Sequence, residues 1–266
     1  MIIIGEKINS TRKSVREAIA KKDAAFLQKL AVEQVQAGAD YLDVNTGAFP
    51  DEEAELMEWL VKIVQEAVEA PLSLDSANPL ALEAGLKASK YGRCIINSIT
   101  AEKTRFEKVL PLALKYQSPV LALSMGDEGI TKTVEDRFDV AKRLIQALCA
   151  QGIAQEKIFL DPLIQPVSVQ NDFAVVALEV IRRVRQEFPA VHITCGLSNV
   201  SFGLPQRAKL NRYFLVMAMA AGLDSAILDP TDAELMDALE AADVLLGKDR
   251  FCMKYIKAFR DARNSP

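Results

Sequence analysis

The sequence is poor in the side chains that most often bind metals or form disulfides. Its 266 residues include one histidine, one tryptophan and four cysteines. The cysteines stand at positions 94, 149, 195 and 252, so no Cys-x-x-Cys pair or Cys/His zinc spacing occurs. We therefore expect no bound metal. A chain of this length also has no need of a disulfide framework, which favours a reducing cytoplasm.

The sequence also has neither a large excess of one charge nor a long apolar run. The 32 basic and 36 acidic residues give a net charge of −4 and no basic surface for nucleic acid or an anionic membrane. The strongly apolar stretch from Phe214 to Leu223 is too short to cross a membrane. The start, MIIIGEKINS, is unlike a signal peptide because it reaches Gly-Glu-Lys after four apolar residues. We expect a cytoplasmic protein without nucleic-acid or membrane partners.

The sequence does contain eight short apolar runs, most of them rich in Ile, Val and Leu, as strands buried on both faces are. They are Met1–Ile4, Tyr41–Val44, Leu72–Leu74, Cys94–Ile96, Val120–Leu123, Ile158–Leu160, Ile193–Cys195 and Ala226–Leu228. They start about 32 residues apart, the size of a βα unit, and helical patterns lie between them. We predict one (β/α)8 TIM-barrel domain over residues 1–266, with an extra helix near 250–262. A doubly wound open sheet is the alternative.

Polar side chains follow seven of these runs directly or within two residues. They are Glu6, Asn45, Asp75, Asn97, Ser124, Asp161 and Asp229, and Asn9 lies three residues beyond Glu6. In a barrel these strand ends meet at the mouth that holds the active site. Asp, Asn and Glu with few basic groups suit an electron-poor ring bearing N–H groups better than a phosphate. A single Asp after a strand is commonly a helix N-cap, so the prediction depends on several such residues occurring on different strands.

Four segments in this order resemble the pterin-binding methyltransferases. They are LSLDSAN at 72–78, IINS at 95–98, LDPLI at 160–164 and GLSNVS at 196–201. The resemblance is greatest to the methyltetrahydrofolate:corrinoid/iron–sulfur protein methyltransferases, and the folate domain of cobalamin-dependent methionine synthase is a more distant relative. It implies a barrel that binds methyltetrahydrofolate by its pterin ring. The methyl group would move, in either direction, between N5 and the cobalt of a corrinoid (cobalamin) carried by a partner protein.

The resemblance also implies roles for single side chains. Asp75, Asn97 and Asp161 correspond to the groups that hold the pyrimidine side of the pterin, and Asn199 to an Asn near N5. These residue types suit that edge, because a carboxylate accepts two parallel N–H bonds and an amide both donates and accepts. An unpaired group there would cost roughly 1–3 kcal/mol, which also gives selectivity.

Four further positions carry less specific expectations. Arg207 matches a substrate-contacting Arg, and Glu6 and Asp43 match polar positions that line the family's pocket. Phe202 stands where the family pattern leads us to expect a polar residue, and it either stacks on the pterin or packs within its loop.

The lone histidine is not expected at the mouth, because His192 begins the seventh run and belongs to the opposite, stabilising end of the barrel. Asn199 is therefore our candidate catalytic residue. Its hydrogen bond to N5 would tighten in the transition state, which stabilises that state without an acid. A nearby water held by Asp75 or Asp161 would carry the proton.

Two other functions fit parts of the pattern. A dihydropteroate synthase-like enzyme would use a similar Asp/Asn/Asp set, but it needs a Lys after the seventh strand, where this chain has GLSNVSFG. A non-catalytic barrel that binds folate or a corrinoid protein would bind without turnover. The resemblance also implies a homodimer.

Overall fold

The computed structural model describes residues 1–91 and 93–264. Its sheet has eight parallel strands in the order β7-β6-β5-β4-β3-β2-β1-β8, which is sequential around a barrel. The strands are β1 (Ile2–Asn9), β2 (Tyr41–Asn45), β3 (Leu72–Asp75), β4 (Ile95–Thr100), β5 (Val120–Leu123), β6 (Ile158–Asp161), β7 (His192–Ile193) and β8 (Ser225–Leu228). The predicted (β/α)8 barrel is confirmed, and the open doubly wound sheet is wrong.

Helices alternate with the strands and cover the outside of the barrel. In the described part of the chain they are α1 (Lys13–Ala20), α2 (Ala24–Gln36), α3 (Glu53–Ala67), α4 (Pro79–Ala88), α5 (Lys103–Tyr116), α6 (Val134–Ala150), α7 (Phe173–Glu187), α8 (Arg207–Ala221), α9 (Ala233–Leu245) and α10 (Met253–Asn264). Asp23 caps α2 by accepting the Phe26 amide at 3.1 Å, as its position before an apolar repeat suggests. None of these helices is both long and apolar enough to cross a membrane.

The barrel closes through few main-chain bonds, because β7 has only two residues. The Asp224 amide donates to the Ile193 carbonyl at 3.3 Å, and the Ile227 amide donates to the Cys195 carbonyl at 2.8 Å. Gly196 and Ile227 form a further parallel bridge. The segment that follows β7 is therefore held to β8 at the point where it enters the mouth.

The core has two parts. The larger one lies between the strands and the surrounding helices. The smaller one fills the inside of the barrel and is formed by Ile4, Ile95, Leu121 and Phe159, all buried, with Tyr41 packed against them. This inner cluster forms an apolar floor below the mouth, since its members precede the polar strand ends on their own strands.

His192 lies at the end of the barrel opposite the mouth, as expected. Its ring stacks on Phe159 with 4.7 Å between centroids, and its Nδ1 is hydrogen-bonded to Asp224 Oδ2 at 3.1 Å. Asp224 also accepts the Ile193 amide at 2.7 Å and pairs with Arg185 at 3.0 Å. Burial acts to raise the pKa of Asp224, but these partners outweigh it and hold the pKa below its usual value. The histidine thus helps to join β7 to the segment before β8.

Candidate active site

The carboxyl ends of the first four strands form one continuous row of polar side chains. Main-chain pairing aligns Asn9 with Asn45, Asn45 with Asp75, and Asp75 with Asn97. Residues aligned in this way on neighbouring strands point to the same face of a sheet. The row is therefore a direct consequence of strand register.

Asp43 lies on β2 two residues before Asn45, so its side chain is one layer below this row, and it is buried. Its Oδ1 accepts the Asn97 amide nitrogen Nδ2 at 3.1 Å and the Ser73 hydroxyl at 2.7 Å. Burial raises the pKa of Asp43 well above its usual value, the nearby Asp75 charge adds to the rise, and the two hydrogen bonds oppose it. The bond to Asp43 leaves the Asn97 amide with one orientation, its oxygen free to accept from a ligand.

Asp75 is held by Asn45, one of the polar residues at the strand ends to which the sequence alone assigned no role. The Nδ2 of Asn45 donates to Asp75 Oδ2 at 2.9 Å, and Asn45 Oδ1 accepts the Ser10 hydroxyl at 2.6 Å. Burial raises the pKa of Asp75, the Asn45 bond opposes the rise, and Glu53 adds to it. Asn45 orients the carboxylate, and its place at the end of the second run was the one available signal.

Asp161 ends β6 and is also buried. Its Oδ1 accepts the Leu163 amide at 2.7 Å, and the Gly196 amide also hydrogen-bonds to the carboxylate. Burial raises the pKa of Asp161 to about 6, although both amides and the charge of Arg137 act to lower it. The carboxyl group is thus poised to change its charge close to neutral pH.

The loop after β7 supplies Asn199, which lies in a 3-10 helix at Leu197–Ser201 and is exposed. Gly196 gives this side chain room, because a Cβ at position 196 would lie 2.9 Å from Asn199 Nδ2. Gly196 also links the loop to Asp161 through its amide. The predicted catalytic residue is therefore next to one of the predicted pterin ligands.

Arg207 begins α8 and braces the same loop. Its Nε donates to the Ser201 hydroxyl at 3.1 Å, and its Nη2 donates to the Ser198 carbonyl at 2.7 Å. The guanidinium lies 5.9 Å from the centroid of the Phe202 ring, which is 64% exposed. Phe202 therefore does not pack into the core, and its ring is available at the rim.

Glu6 lies between the two sides of the mouth. Its Oε1 accepts Arg12 Nη2 at 2.7 Å. Burial raises the pKa of Glu6, with a smaller rise from Asp229, and Arg12 and Arg207 oppose it. The charge of Glu6 also contributes to the raised pKa of Asp43. Glu6 is thus electrostatically coupled both to the β2–β4 group and to Arg207.

The predicted site residues form two groups across the mouth. One contains Asp43, Asp75 and Asn97 on β2–β4, and the other contains Asp161 and Asn199 on β6 and the loop after β7. Among the described residues, no side-chain hydrogen bond joins one group to the other. A flat molecule lying between them would meet buried acceptors on both edges.

Two guanidinium groups lie behind the site, that of Arg105 half-buried and that of Arg137 fully buried, and neither was predicted from the sequence. Arg105 on α5 donates to the main-chain carbonyls of Ser76, Ala77 and Ser98, and so joins the loop after β3 to the strand β4. Arg137 on α6 does the same for the loop after β6. An Arg within an ordinary helical pattern gives no local signal of such a long-range role.

A large cavity lies away from this cluster. It has a volume of about 770 Å³ and lies between α5 and α6, where Phe106, Leu144 and the 126–129 turn form part of its wall. None of the predicted site residues lines it. The mouth is the candidate active site, because the carboxyl groups with raised pKa values lie there.

Comparison with known proteins gives consistent matches. The model of the family described as "pterin binding enzyme" matches residues 5–229. The chain is 39% identical to the methylcorrinoid:tetrahydrofolate methyltransferase of Eubacterium limosum, over 100% of this chain and 98% of that protein. It is 32% identical to methionine synthase of Mycobacterium tuberculosis over 86% of this chain, which covers 20% of that longer protein.

Solved structures of dihydropteroate synthases share the fold. The enzyme of Yersinia pestis superimposes with a TM-score of 0.68 at 16% identity, covering 93% of this chain and 94% of that one. The enzyme of Xanthomonas albilineans with 4-aminobenzoic acid gives 0.69 at 20% identity, covering 94% and 93%. At these identities the likeness shows that the fold is shared, and it shows no more than the fold.

The burial of Asp161 predicts a gain in stability when its charge is removed. Its pKa of about 6 in the folded chain exceeds the value of about 3.9 for an unfolded Asp, so stability falls as pH rises through this window. Asp161→Asn should therefore raise the free energy of unfolding at pH 7.5 by roughly 1–3 kcal/mol, measured by urea denaturation.

Asp224→Asn is the matched control, because the pKa of Asp224 is lowered and the sign reverses. That variant should be less stable than the parent chain at pH 7.5, and the difference should shrink below pH 4. An Asp161→Asn variant that loses stability at pH 7.5 would contradict the account.

Proposed function

The chain belongs to the family of pterin-binding enzymes, and from this we propose that it is a methyltransferase acting between a corrinoid protein and N5 of tetrahydrofolate. The observation that carries the proposal is the 39% identity, along the entire chain, to a methylcorrinoid:tetrahydrofolate methyltransferase. That relative's name favours transfer towards tetrahydrofolate as the working direction. The reverse reaction uses the same site.

The chemistry is a direct transfer between two substrates. The bond from cobalt to the methyl carbon breaks, the bond from N5 to that carbon forms, and the N5 proton is released. The corrinoid supplies the cobalt, which keeps the electron pair of the broken bond. This chain's own residues have to bind the pterin, orient N5 towards the open side of the mouth, and stabilise the change of charge at N5.

The pterin edge would be held by Asp75, Asn97 and Asp161. The two carboxylates would accept the ring N–H groups, and the amide of Asn97, already oriented by Asp43, would present its free oxygen to the ring. The donor set fits the ligand, because a pterin presents several N–H groups along one edge. A ligand without them would leave buried acceptors unpaired at roughly 1–3 kcal/mol each.

We assign the transfer step to Asn199. Its exposed amide would hydrogen-bond to N5 most strongly in the transition state, and a water held by Asp75 or Asp161 would move the N5 proton. Phe202 would cover the pterin face from the rim. Arg207 would contact the substrate while it braces the loop, and Glu6 and Asp43 would line the pocket.

The corrinoid partner would approach from the open mouth. No group of three or more His, Cys, Asp or Glu side chains suited to a metal ion occurs in the described part of the chain. We propose that the cobalt comes with the partner protein, that one barrel domain performs the reaction, and that it does so in the cytoplasm. The balanced charge, which offers no basic patch for nucleic acid or membrane, supports this setting.

We also propose a homodimer. The apolar segment near 214–228 mostly packs into the core, but Tyr213 and Met217 on the outer face of α8 are exposed. Such side chains are frequent at subunit interfaces. Light scattering should give twice the chain mass of 29.2 kDa, and a monomer mass would contradict the proposal.

A methyl-transfer assay tests the main proposal. The protein is mixed with cob(I)alamin and methyltetrahydrofolate, and loss of the Co(I) absorbance reports methylcobalamin formation. The reverse reaction starts from methylcobalamin and tetrahydrofolate. Transfer in either direction is the expected result. Binding of methyltetrahydrofolate without any turnover, using free or protein-bound corrinoid, would instead indicate a non-catalytic carrier.

The same sample distinguishes the dihydropteroate synthase alternative, which the shared fold makes worth testing. The loop 196–203 has no Lys to help bind that enzyme's substrate. Incubation with p-aminobenzoate and a pterin diphosphate should give no product, and formation of dihydropteroate would overturn the proposed function.

Asn199→Ala should lower kcat by about 10²-fold, the usual effect of losing one transition-state hydrogen-bond donor. The Kd for methyltetrahydrofolate, measured by calorimetry, should stay within a few-fold of the parent value because the edge ligands are untouched. Asn199→Asp is the matched control, since it keeps the size and loses the donor, and it should be equally slow. Parental turnover in Asn199→Ala would show that the assignment is wrong.

A further inference from the structure

Arg137 is the largest fully buried side chain in the described part of the chain, with an exposure of 0%. Its guanidinium donates to the carbonyls of Thr131 and Leu163, the latter at 3.1 Å, and to Gln165 Oε1 at 2.8 Å. Thr131 precedes α6, and the other two acceptors lie after β6. One side chain therefore holds two loops of the mouth together.

The charge of Arg137 is unusual because it is buried without an ion pair. Within residues 1–91 and 93–264, no salt bridge joins it to a carboxylate. Removing a charge from water costs several kcal/mol, and an apolar side chain could fill the same space. A cation that is retained here at such a cost is expected to have a role. Asp161 is the carboxyl group whose pKa the charge of Arg137 affects.

Leu163 provides the structural connection. Its φ of +60° lies in the left-handed region, which is uncommon for a residue other than glycine and costs about 1–2 kcal/mol. In this conformation its amide donates to Asp161 Oδ1 at 2.7 Å while its carbonyl accepts from Arg137 Nη1 at 3.1 Å. The main-chain amide of Leu163 thus contacts Asp161, and its carbonyl contacts Arg137.

We propose that Arg137 is a positioning residue for substrate binding: by holding Leu163 in its left-handed conformation it aims the Leu163 amide at Asp161 and fixes the carboxylate that binds the pterin. This inference rests on the proposed function. Arg137 itself touches no reacting atom. It acts from behind the loop, through one residue whose two main-chain groups are both engaged.

The charge of Arg137 also matters for the titration of Asp161. Two ionisable groups face this carboxyl group, Arg137 from α6 and the Cys195 thiol after β7, whose pKa is raised by burial and by Asp161. Arg137 acts to lower the pKa of Asp161, so its loss raises that pKa above about 6. At neutral pH less carboxylate would then be ready to accept N–H groups.

The test is the pH dependence of tetrahydrofolate binding to the full chain, followed by calorimetry from pH 5 to pH 8. For the parent protein, Kd should be constant above about pH 6 and should rise about tenfold per pH unit below it. For Arg137→Met, Kd at pH 7 should rise about tenfold or more. The pH below which Kd begins to rise, called the break, should move up by about one pH unit.

Arg185→Met is the matched control. This guanidinium also binds main-chain carbonyls, those of Gly222, Pro189 and Val191, but at the opposite end of the barrel. Its loss should lower stability and leave both the Kd and the break unchanged. A second readout is rescue: millimolar guanidinium should restore binding to Arg137→Ala, and methylammonium should not.

Outcomes separate the two proposals. If the parent protein does not bind tetrahydrofolate, the proposed function fails. If the parent binds and a folded Arg137→Met has the same Kd and break, the positioning role is wrong and the function stands. Should Arg137→Met not fold, Arg137→Lys carries the test, because its ammonium cannot span the same carbonyls. A parental Kd in that variant would overturn the inference.

Discussion

The register of the first four strands is the constraint on which the mouth depends. Asn9, Asn45, Asp75 and Asn97 stand side by side because β1 to β4 pair in parallel without a shift at these positions. A slip of one residue on any strand would turn its polar side chain away from the barrel interior. The irregularities in pairing fall between Gly5 and Ile8 and between Asn97 and Ile99. They therefore adjust the strands without disturbing the row.

Burial at the mouth has opposing effects on stability and recognition. The apolar floor of Ile4, Ile95, Leu121 and Phe159 lies below the carboxyl groups and keeps water away from that side. Low polarity raises the pKa values of Asp43, Asp75 and Asp161, which is an energetic cost to the folded chain near neutral pH. The same surroundings strengthen each hydrogen bond to a ligand. The site is thus less stable than an apolar one and more selective.

Most of the barrel was predictable because its signal is local. The strand over Val120–Leu123 occurs with the predicted bounds because its apolar run determines it, and the cap formed by Asp23 determines where α2 begins. The helix α1 has no such signal, because its short stretch after β1 lacks a side-chain cap and an apolar run. The mouth residues were also predictable, as polar groups at strand ends. The contacts around the mouth were not predictable. No local pattern indicates that Arg137 binds a loop 26 residues away, or that Leu163 is left-handed.

The buried and the exposed residues of the mouth differ in a way that suits the proposed reaction. Asp43, Asn97 and Asp161 are buried and held by neighbouring donors or acceptors, so they can recognise one rigid edge without rearranging. Asn199, Phe202 and Arg207 are exposed, and Arg207 braces the loop that carries the other two. A group that must meet a second, protein-bound substrate has to be accessible from solvent. A group that only recognises the first substrate forms stronger hydrogen bonds where water is excluded. Recognition can thus be assigned to the buried residues and transfer to the exposed ones, with Gly196 joining them through the hydrogen bond of its amide to Asp161 and its place beside Asn199.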